Sequence, residues 1–237
     1  ATGLSADVFY SGFISWAGAQ VRAWGLGPTP DDEQLADLKK ATGAERVALL
    51  RELIDKYPDH PPLRRLDAAR RIESGDYDTA RAAILRYAEV RPIDPWANRA
   101  LLKLARTHQR VEDMVGPLEE LDRAMQKHGR LAAELAEIYR GLDRPDQAAE
   151  AYRRALHREP FAAAWREKAA AVELERGERA AALRHVQAMT LIEPERVIQW
   201  IRLAAMHQKL GQPEKAAEAA RQALRLDPLA PVEQYLQ

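Results

Sequence analysis

Hydrophobic and polar residues alternate with a helical period inside blocks that themselves recur along the chain. The clearest block, residues 197–230, places Trp200, Leu203 and Ala204 on one stripe and ends that stripe at Gly211. A second stripe follows, with apolar residues at Ala216, Ala220, Ala223 and Leu224. Because offsets of four and seven residues put side chains on one face of an α-helix, the block predicts two helices joined by a turn.

A spacing of 34 residues organises these blocks. Five prolines lie on one 34-residue grid with a single vacancy at Gln126, namely Pro58, Pro92, Pro160, Pro194 and Pro228. The same spacing joins the glycines Gly75, Gly177 and Gly211 and the alanines Ala80, Ala148, Ala182 and Ala216. A proline stops the second helix of each block, and one helical hairpin cannot bury its own apolar face. We therefore expect neighbouring hairpins to stack on one another.

Composition supports an all-α protein and limits its chemistry. Glycine is sparse, with 12 residues in 237, and only three phenylalanines are present. The 36 basic and 36 acidic residues cancel, so no global field attracts nucleic acid or an anionic membrane. The absence of cysteine excludes disulfides, thiolate catalysis and cysteine-based metal sites. Any charged recognition must therefore be local.

The 34-residue period, the series Trp200, Leu203, Gly211, Ala216, Ala223 and Pro228, and the GDYDTA opening of a second helix at 75–80 resemble tetratricopeptide (TPR) repeats. The resemblance implies a right-handed α-solenoid of five to six helical hairpins. We predict repeats at 61–94, 95–128, 129–162, 163–196 and 197–230, a degenerate hairpin at 27–60 and a C-terminal tail at 231–237. Gly116-Pro117 lies within the second helix of window 95–128, which predicts that this helix is kinked or starts late.

Residues 1–26 do not fit the grid. From Val8 to Trp24 the segment carries one charge, Arg22, and it is otherwise apolar or small. It has three interpretations: a cap on the first repeats, a membrane-associated end, or a helix that docks on a partner. Its length touches the lower limit of about 17 residues for spanning a membrane, and Trp16 and Trp24 suit a membrane interface, while its serines and glycines oppose spanning.

No catalytic motif is present in the sequence. HExxH, P-loop and GxGxxG patterns are all missing, and the six histidines occupy different positions of the repeat, so they do not converge as metal ligands would. We therefore expect no enzymatic activity, no metal and no cofactor. The resemblance implies instead that the chain is a scaffold, which binds a partner protein or peptide in its concave groove and assembles or localises a multi-protein complex.

In TPR proteins, positions 2, 5, 6, 9, 12 and 13 of each window face the groove. In window 95–128 these positions include Trp96, Arg99, Lys103 and Arg106, and the last three form one basic stripe. Arg64 and Arg65 of the preceding window and Arg130 of the next extend it, although a one-residue shift in window 61–94 leaves the facing of its arginines open. From Arg64 to Arg110, eleven basic residues stand against six acidic ones. We expect this stripe to bind an acidic peptide or a C-terminal carboxylate; the alternative is a solvated helix face.

The C-terminal groove is chemically different. Ile201 and Arg202, together with Ile198, suit a more apolar ligand, so the two grooves imply an extended partner or two partners. A rival hypothesis makes the chain a recruiting or regulatory domain of a larger membrane-associated enzyme. RNA binding is disfavoured because stacking aromatics are few and the net charge is zero. The Ala- and Arg-rich composition is typical of a bacterium with a GC-rich genome, and it leaves cytoplasm and cell envelope both open.

Overall fold

The computed structural model describes residues 5–23 and 27–236. Within them the chain forms thirteen α-helices and one 3-10 helix, and no strand, so the all-α prediction is confirmed. The helices are α1 (Ala6–Ala23), α2 (Asp32–Lys40), α3 (Gly43–Lys56), α4 (Pro61–Ser74), α5 (Tyr77–Val90), α6 (Pro95–Thr107), α7 (Glu112–Ala124), α8 (Arg130–Gly141), α9 (Pro145–Arg158), α10 (Ala163–Glu175), α11 (Arg179–Ile192), α12 (Val197–Lys209), α13 (Pro213–Leu226) and η1 (Glu233–Tyr235).

Aspartate side chains and prolines mark where several helices begin. Asp31 accepts the backbone N–H of Gln34 at 2.8 Å, and the Gln34 side chain accepts the Asp31 backbone N–H in return, which forms a capping box. Asp94 accepts the backbone N–H of Trp96 at 2.9 Å in the same way at the start of α6. Prolines occupy the first turn of α4, α6, α9 and α13, where the missing N–H breaks no helical hydrogen bond.

The grid prolines end the second helices indirectly. Each of these helices stops two residues before its proline, as α5 does at Val90 before Pro92. The intervening residue leaves the helical region because a following proline disfavours it there. These residues are Tyr57, Arg91, Glu159, Glu193 and Asp227, all with φ between −126° and −143°.

A side chain six residues after the grid proline donates to that proline's carbonyl in three of the turns. The donors are Arg64 Nε to Pro58 at 2.6 Å, Arg166 Nη2 to Pro160 at 2.6 Å and Trp200 Nε1 to Pro194 at 2.8 Å. The bond joins the first helix of one pair to the end of the preceding pair. Position 4 of the window is therefore a structural position in these turns.

The chain divides into two compact units, one up to Met114 and the other from Val115. The division lies within α7, which contains Pro117. Because proline lacks a backbone N–H, the helical hydrogen-bond ladder is interrupted close to the division. The helix begins at Glu112, one residue from the position given by the 34-residue spacing, so it does not start late.

In unit 1 the pairs α2/α3 and α4/α5 pack together, and α6 packs on α5. Alanines supply many of the contact positions, which lets helix backbones approach closely. The larger cluster contains Ala68, Ala80, Ala83, Ile84, Tyr87, Ala97 and Leu104. A second cluster, formed by Leu38, Leu50, Leu53 and Leu63, joins α2, α3 and α4.

In unit 2 the pairs α8/α9, α10/α11 and α12/α13 pack internally, and α9 and α11 each pack on the next pair. The residues after α13 cover the end of the last pair, because η1 contacts both α12 and α13 and Val232 is completely buried.

Unit 2 also contains a buried carboxylate, that of Asp122 on α7. It pairs with Arg154 at 3.0 Å and with Arg158, both on α9.

Candidate partner-binding surface

A pocket of about 640 Å³ lies in unit 1 against α4. Four of its lining residues, Pro62, Arg65, Leu66 and Ala69, occupy positions 2, 5, 6 and 9 of window 61–94, where the repeat resemblance places groove residues. The lining is completed by His60, Pro61, Tyr87, Arg91 and Asp94. We call this cavity the unit 1 pocket.

The guanidinium of Arg65 lies over the ring of Trp96, 5.0 Å from the ring centroid. Trp96 is held in turn by an edge-to-face contact with Tyr87, at 4.9 Å between centroids. An aromatic ring over one face of a guanidinium fixes the plane of the group, and the N–H groups along its edge can then donate to a bidentate acceptor. The stacking therefore orients Arg65 before any ligand arrives.

Tyr87 and Asp94 form the polar wall of the unit 1 pocket. The Tyr87 hydroxyl donates to the Asp94 carboxylate, and burial together with this bond raises the pKa of Tyr87 to about 12. Burial would raise the pKa of Asp94, but the hydrogen bonds from Tyr87 and the Trp96 N–H and the charges of Arg65 and Arg91 outweigh it and lower that pKa. Tyr87 is thus protonated and Asp94 ionised at neutral pH.

His60, which lines the same pocket, has an unsatisfied ring nitrogen. Its Nδ1 is buried and has no hydrogen-bond partner among the described residues. Burial lowers the pKa of His60, so the ring is neutral at pH 7 and can donate or accept through that nitrogen, according to its tautomer. In the part of the chain that the structure describes, no three His, Asp or Glu side chains converge as a metal ion requires.

Arg64 and Arg65 are adjacent in sequence but face opposite sides of α4. Arg65 lines the unit 1 pocket, whereas Arg64 donates to the Pro58 carbonyl and lines a separate cleft with residues of α3 and α5. The structure therefore does not bring Arg64 to the predicted groove stripe. The sequence did contain a sign that Arg64 belongs to the turn rather than to the groove: it lies six residues after a grid proline, as Trp200 does.

The predicted stripe on α6 is exposed to solvent. Arg99, Lys103 and Arg106 are all exposed, and Trp96 at the start of the helix is half-buried beneath Arg65. Arg130, the first residue of α8, is exposed as well and belongs to unit 2. Four pocket residues from other elements were not predicted, because each belongs to a turn or to the second helix of its pair; they are His60, Tyr87, Arg91 and Asp94.

The groove positions of unit 2 are joined by ion pairs between successive first helices. Arg202, predicted to bind a partner, pairs with Glu167 at 2.5 Å. The other two pairs are Arg140–Glu175 at 2.6 Å and Lys168–Glu137 at 3.1 Å. Charges at these positions therefore neutralise one another between successive first helices.

The apolar part of the C-terminal groove is partly used within the chain. Ile201 is half-buried and packs on the core of unit 2, while Ile198 is exposed. Gln208, at groove position 12, donates to the backbone carbonyl of Gln234 at 3.2 Å. The residues after α13 thus cover one end of this groove.

Helix α1 contacts α5 but leaves large apolar side chains in solvent. The exposed residues are Val8, Phe9, Tyr10, Phe13, Ile14, Trp16 and Val21, with Phe9 and Tyr10 both 66% exposed. Contact with α5 is what the cap interpretation requires, yet the described residues do not cover most of the helix. Trp24, the second predicted interface tryptophan, lies outside the described residues. None of the helices in the described ranges has the length and apolarity to cross a membrane.

Two family models match the chain, and both are described as tetratricopeptide repeat. One matches residues 133–196 and the other residues 198–230, so both matches lie in unit 2. No curated protein matches the chain. The resemblance to tetratricopeptide repeats is therefore confirmed for this region.

Solved structures share the fold at low sequence identity. MamA AMB-1 aligns at 17% identity and a TM-score of 0.50, covering 74% of this chain and 96% of that one. YrrB, described as a TPR protein with an unusual peptide-binding site, aligns at 16% identity and a TM-score of 0.49, covering 77% of this chain and 94% of that one. MamA from Desulfovibrio magneticus RS-1 aligns at 13% identity and a TM-score of 0.46, covering 72% of this chain and 97% of that one. At these identities the likeness concerns the fold alone.

Proposed function

We propose that the chain is a non-enzymatic scaffold that binds a partner protein or peptide, because it carries tetratricopeptide repeats over residues 133–196 and 198–230. The unit 1 pocket is the proposed recognition site. The observation that carries this proposal is the stacking of Arg65 on Trp96 beside a cavity lined by groove positions of α4. Assembly or localisation of a multi-protein complex is the role that such a scaffold performs.

The lining of the unit 1 pocket indicates what the partner presents. Pro62, Leu66 and Ala69 offer an apolar wall, and Arg65 offers a preoriented donor for a carboxylate. The ionised Asp94 stands beside the arginines and disfavours a second negative charge at its own side of the pocket. We therefore propose a segment with one carboxylate next to an apolar side chain, which is the chemistry of an acidic peptide or of a C-terminus.

Replacing Arg65 with glutamate tests this site. Dodecapeptides selected on the immobilised chain from a displayed random library should bind Arg65→Glu at least about tenfold more weakly than the unchanged chain, because a charge-assisted hydrogen bond becomes a repulsion. Fluorescence anisotropy with labelled selected peptides measures the affinities.

The matched control is Arg221→Glu, which makes the same charge change on an exposed arginine of α13 that lines neither cavity of unit 1. It should leave the affinity for the selected peptides within about twofold, because its charge lies outside the site, and both variants should keep the helical content. Equal binding by Arg65→Glu and the unchanged chain would refute the assignment of the site.

The exposure of α1 favours a second candidate function, in which the chain is a recruiting domain of a larger membrane-associated enzyme. Seven large apolar side chains in solvent on one helix are more than a monomeric surface ordinarily shows in one place. We propose that a partner covers this helix in the assembled state.

Deleting residues 1–26 separates the two candidates. Affinity purification from detergent-solubilised extract, read by mass spectrometry, should retrieve groove partners with both forms of the chain and α1 partners with the full chain alone. Far-UV circular dichroism should show that the shortened chain stays folded, since α1 belongs to neither hydrophobic cluster of unit 1. Identical partner sets for the two forms would remove α1 as a docking element.

A further inference from the structure

Unit 1 contains a second cleft on the side of α4 turned away from the unit 1 pocket. It measures about 510 Å³ and lies between α3, α4 and α5. On α4 it is lined by Arg64, Asp67, Arg70 and Arg71, whereas the pocket is lined by Pro61, Pro62, Arg65, Leu66 and Ala69. At 3.6 residues per turn these two sets lie on different faces of the helix. We call this second cavity the arginine cleft, after the residues Arg51, Arg64, Arg70, Arg71 and Arg86 that line it.

The arginine cleft has an excess of positive charge. Its five arginines face two acids, Asp55 and Asp67, which leaves three positive charges without a carboxylate in the lining. Asp67 is already shared, since its two oxygens accept from Arg70 Nη2 at 3.0 Å and from Arg71 Nε at 2.9 Å. An excess of positive charge around one cavity attracts an anion to it.

The donors of the cleft come from three helices and are partly preoriented. Arg64 is anchored through Nε to the Pro58 carbonyl, which leaves its terminal nitrogens for other acceptors. The Nε of Arg70 is buried and has no hydrogen-bond partner among the described residues. Arg51 on α3 and Arg86 on α5 are exposed at the two sides of the cleft. Five-donor forks from several directions suit an acceptor with oxygens on several sides.

The equivalent cleft in unit 2 shows that this charge is not a by-product of the repeat. A cavity of about 480 Å³ lies between α9, α10 and α11, and Arg153, Arg166 and His157 occupy the positions of Arg51, Arg64 and Asp55 three repeats later. There the lining sets three acids, Asp146, Glu150 and Glu173, against four arginines. The fold thus supplies a cleft in each unit, and the side chains make the one in unit 1 strongly cationic.

We propose that the arginine cleft binds a phosphate group, which carries more negative charge than a carboxylate. A single carboxylate supplies one charge and two oxygens, whereas a phosphate ester supplies about 1.5 to 2 charges and three acceptor oxygens. The larger charge and the wider spread of oxygens match an excess of three from arginines on three helices. The ligand is either a small phosphorylated compound or a phosphorylated side chain of a partner, and it binds independently of the unit 1 pocket.

Inorganic pyrophosphate is the first probe, with isothermal titration calorimetry on the full chain as the measurement. We expect saturable binding that weakens at least about tenfold in Arg51→Glu and in Arg86→Glu, both exposed positions at which the fold is unaffected. Arg153→Glu, the matching change in the unit 2 cleft, and Arg65→Glu in the unit 1 pocket should bind pyrophosphate within about twofold of the unchanged chain. No saturable binding, or equal weakening in all four variants, overturns the proposal.

Two further titrations test the source of the phosphate and the specificity of the cleft for it. The first uses a phosphoserine peptide and the second uses citrate. Tighter binding of a phosphoserine peptide than of pyrophosphate, lost in Arg86→Glu, assigns the cleft to a phosphorylated partner; tighter binding of pyrophosphate assigns it to a small compound. Citrate at the same concentration tests for a general anion site, and binding equal to that of pyrophosphate overturns the specificity for phosphate. Peptide binding at the unit 1 pocket is read separately through Arg65→Glu, so either site can fail without the other.

Discussion

Replacing Asp122 with alanine is expected to lower the free energy of unfolding of unit 2 by about 3–5 kcal/mol. The carboxylate is 3% exposed and pairs with Arg154 and Arg158, the second of which has a side chain that is 12% exposed. Removing it leaves the largely buried guanidinium of Arg158 without its counter-charge, and it takes one of two carboxylate partners from Arg154, whose side chain is 33% exposed. Urea unfolding followed by circular dichroism measures the change.

An exposed ion pair gives the matched control for Asp122. Glu120 and Arg123 lie on the same helix at 2.6 Å, with side chains 53% and 66% exposed. Because water and salt screen such a pair, Glu120→Ala should cost about 0–1 kcal/mol. Replacing the buried pair by apolar residues, as in Asp122→Leu with Arg158→Met, should recover part of the loss. Equal costs for Asp122→Ala and Glu120→Ala would show that the buried pairs do not contribute to stability.

Replacing Gly129 with alanine is expected to destabilise unit 2 by about 1–3 kcal/mol. A Cβ at this position would lie 2.6 Å from the backbone oxygen of Ala155 and 2.6 Å from the ring of Trp165. The backbone oxygen cannot move without disturbing the end of α9. The Gly129 N–H, which donates to Glu159 at 2.8 Å, would be displaced as well. Thermal unfolding of the two chains measures the difference.

The opposite end of α8 provides the control, because it carries a second glycine. A Cβ added to Gly141, the last residue of the helix, would meet no atom within 4 Å. Gly141→Ala should therefore stabilise the chain by about 0.4–1 kcal/mol, since alanine has fewer conformations to lose on folding. Effects of the same sign at both ends of α8 would contradict the close packing of Gly129 on α9.

The position of each residue within its 34-residue window explains why only part of the candidate site could be predicted. The groove positions of α4 include Arg65 and Ala69, which line the unit 1 pocket, because these positions follow from the period of a single helix. The one-residue shift in window 61–94 left Arg64 and Arg65 unseparated, since a shift of one residue turns each side chain by about 100° around the helix axis. Four further residues join the pocket from other elements, and no local pattern brings them together; they are His60, Tyr87, Arg91 and Asp94.

The sequence pattern also could not predict the ion pairs between neighbouring helix pairs. The pattern along α12 indicates that Arg202 is an available basic residue, but it pairs with Glu167, 35 residues earlier. The same holds for Asp122, which lies on α7 and is buried against arginines of α9. A charge run along one helix therefore overestimates the charge that the surface presents.

The helical class, the 34-residue period and the main core positions followed from the order of the amino acids, because helix formation and its termination depend on residues within one or two turns of each other. Three features emerged only once the helices were packed: Arg65 stacks on Trp96, Arg202 is neutralised, and five arginines surround one cleft. Each of these depends on side chains from different helices meeting in space, and their separation is set by how successive pairs pack. Local periodicity carries no information about that packing.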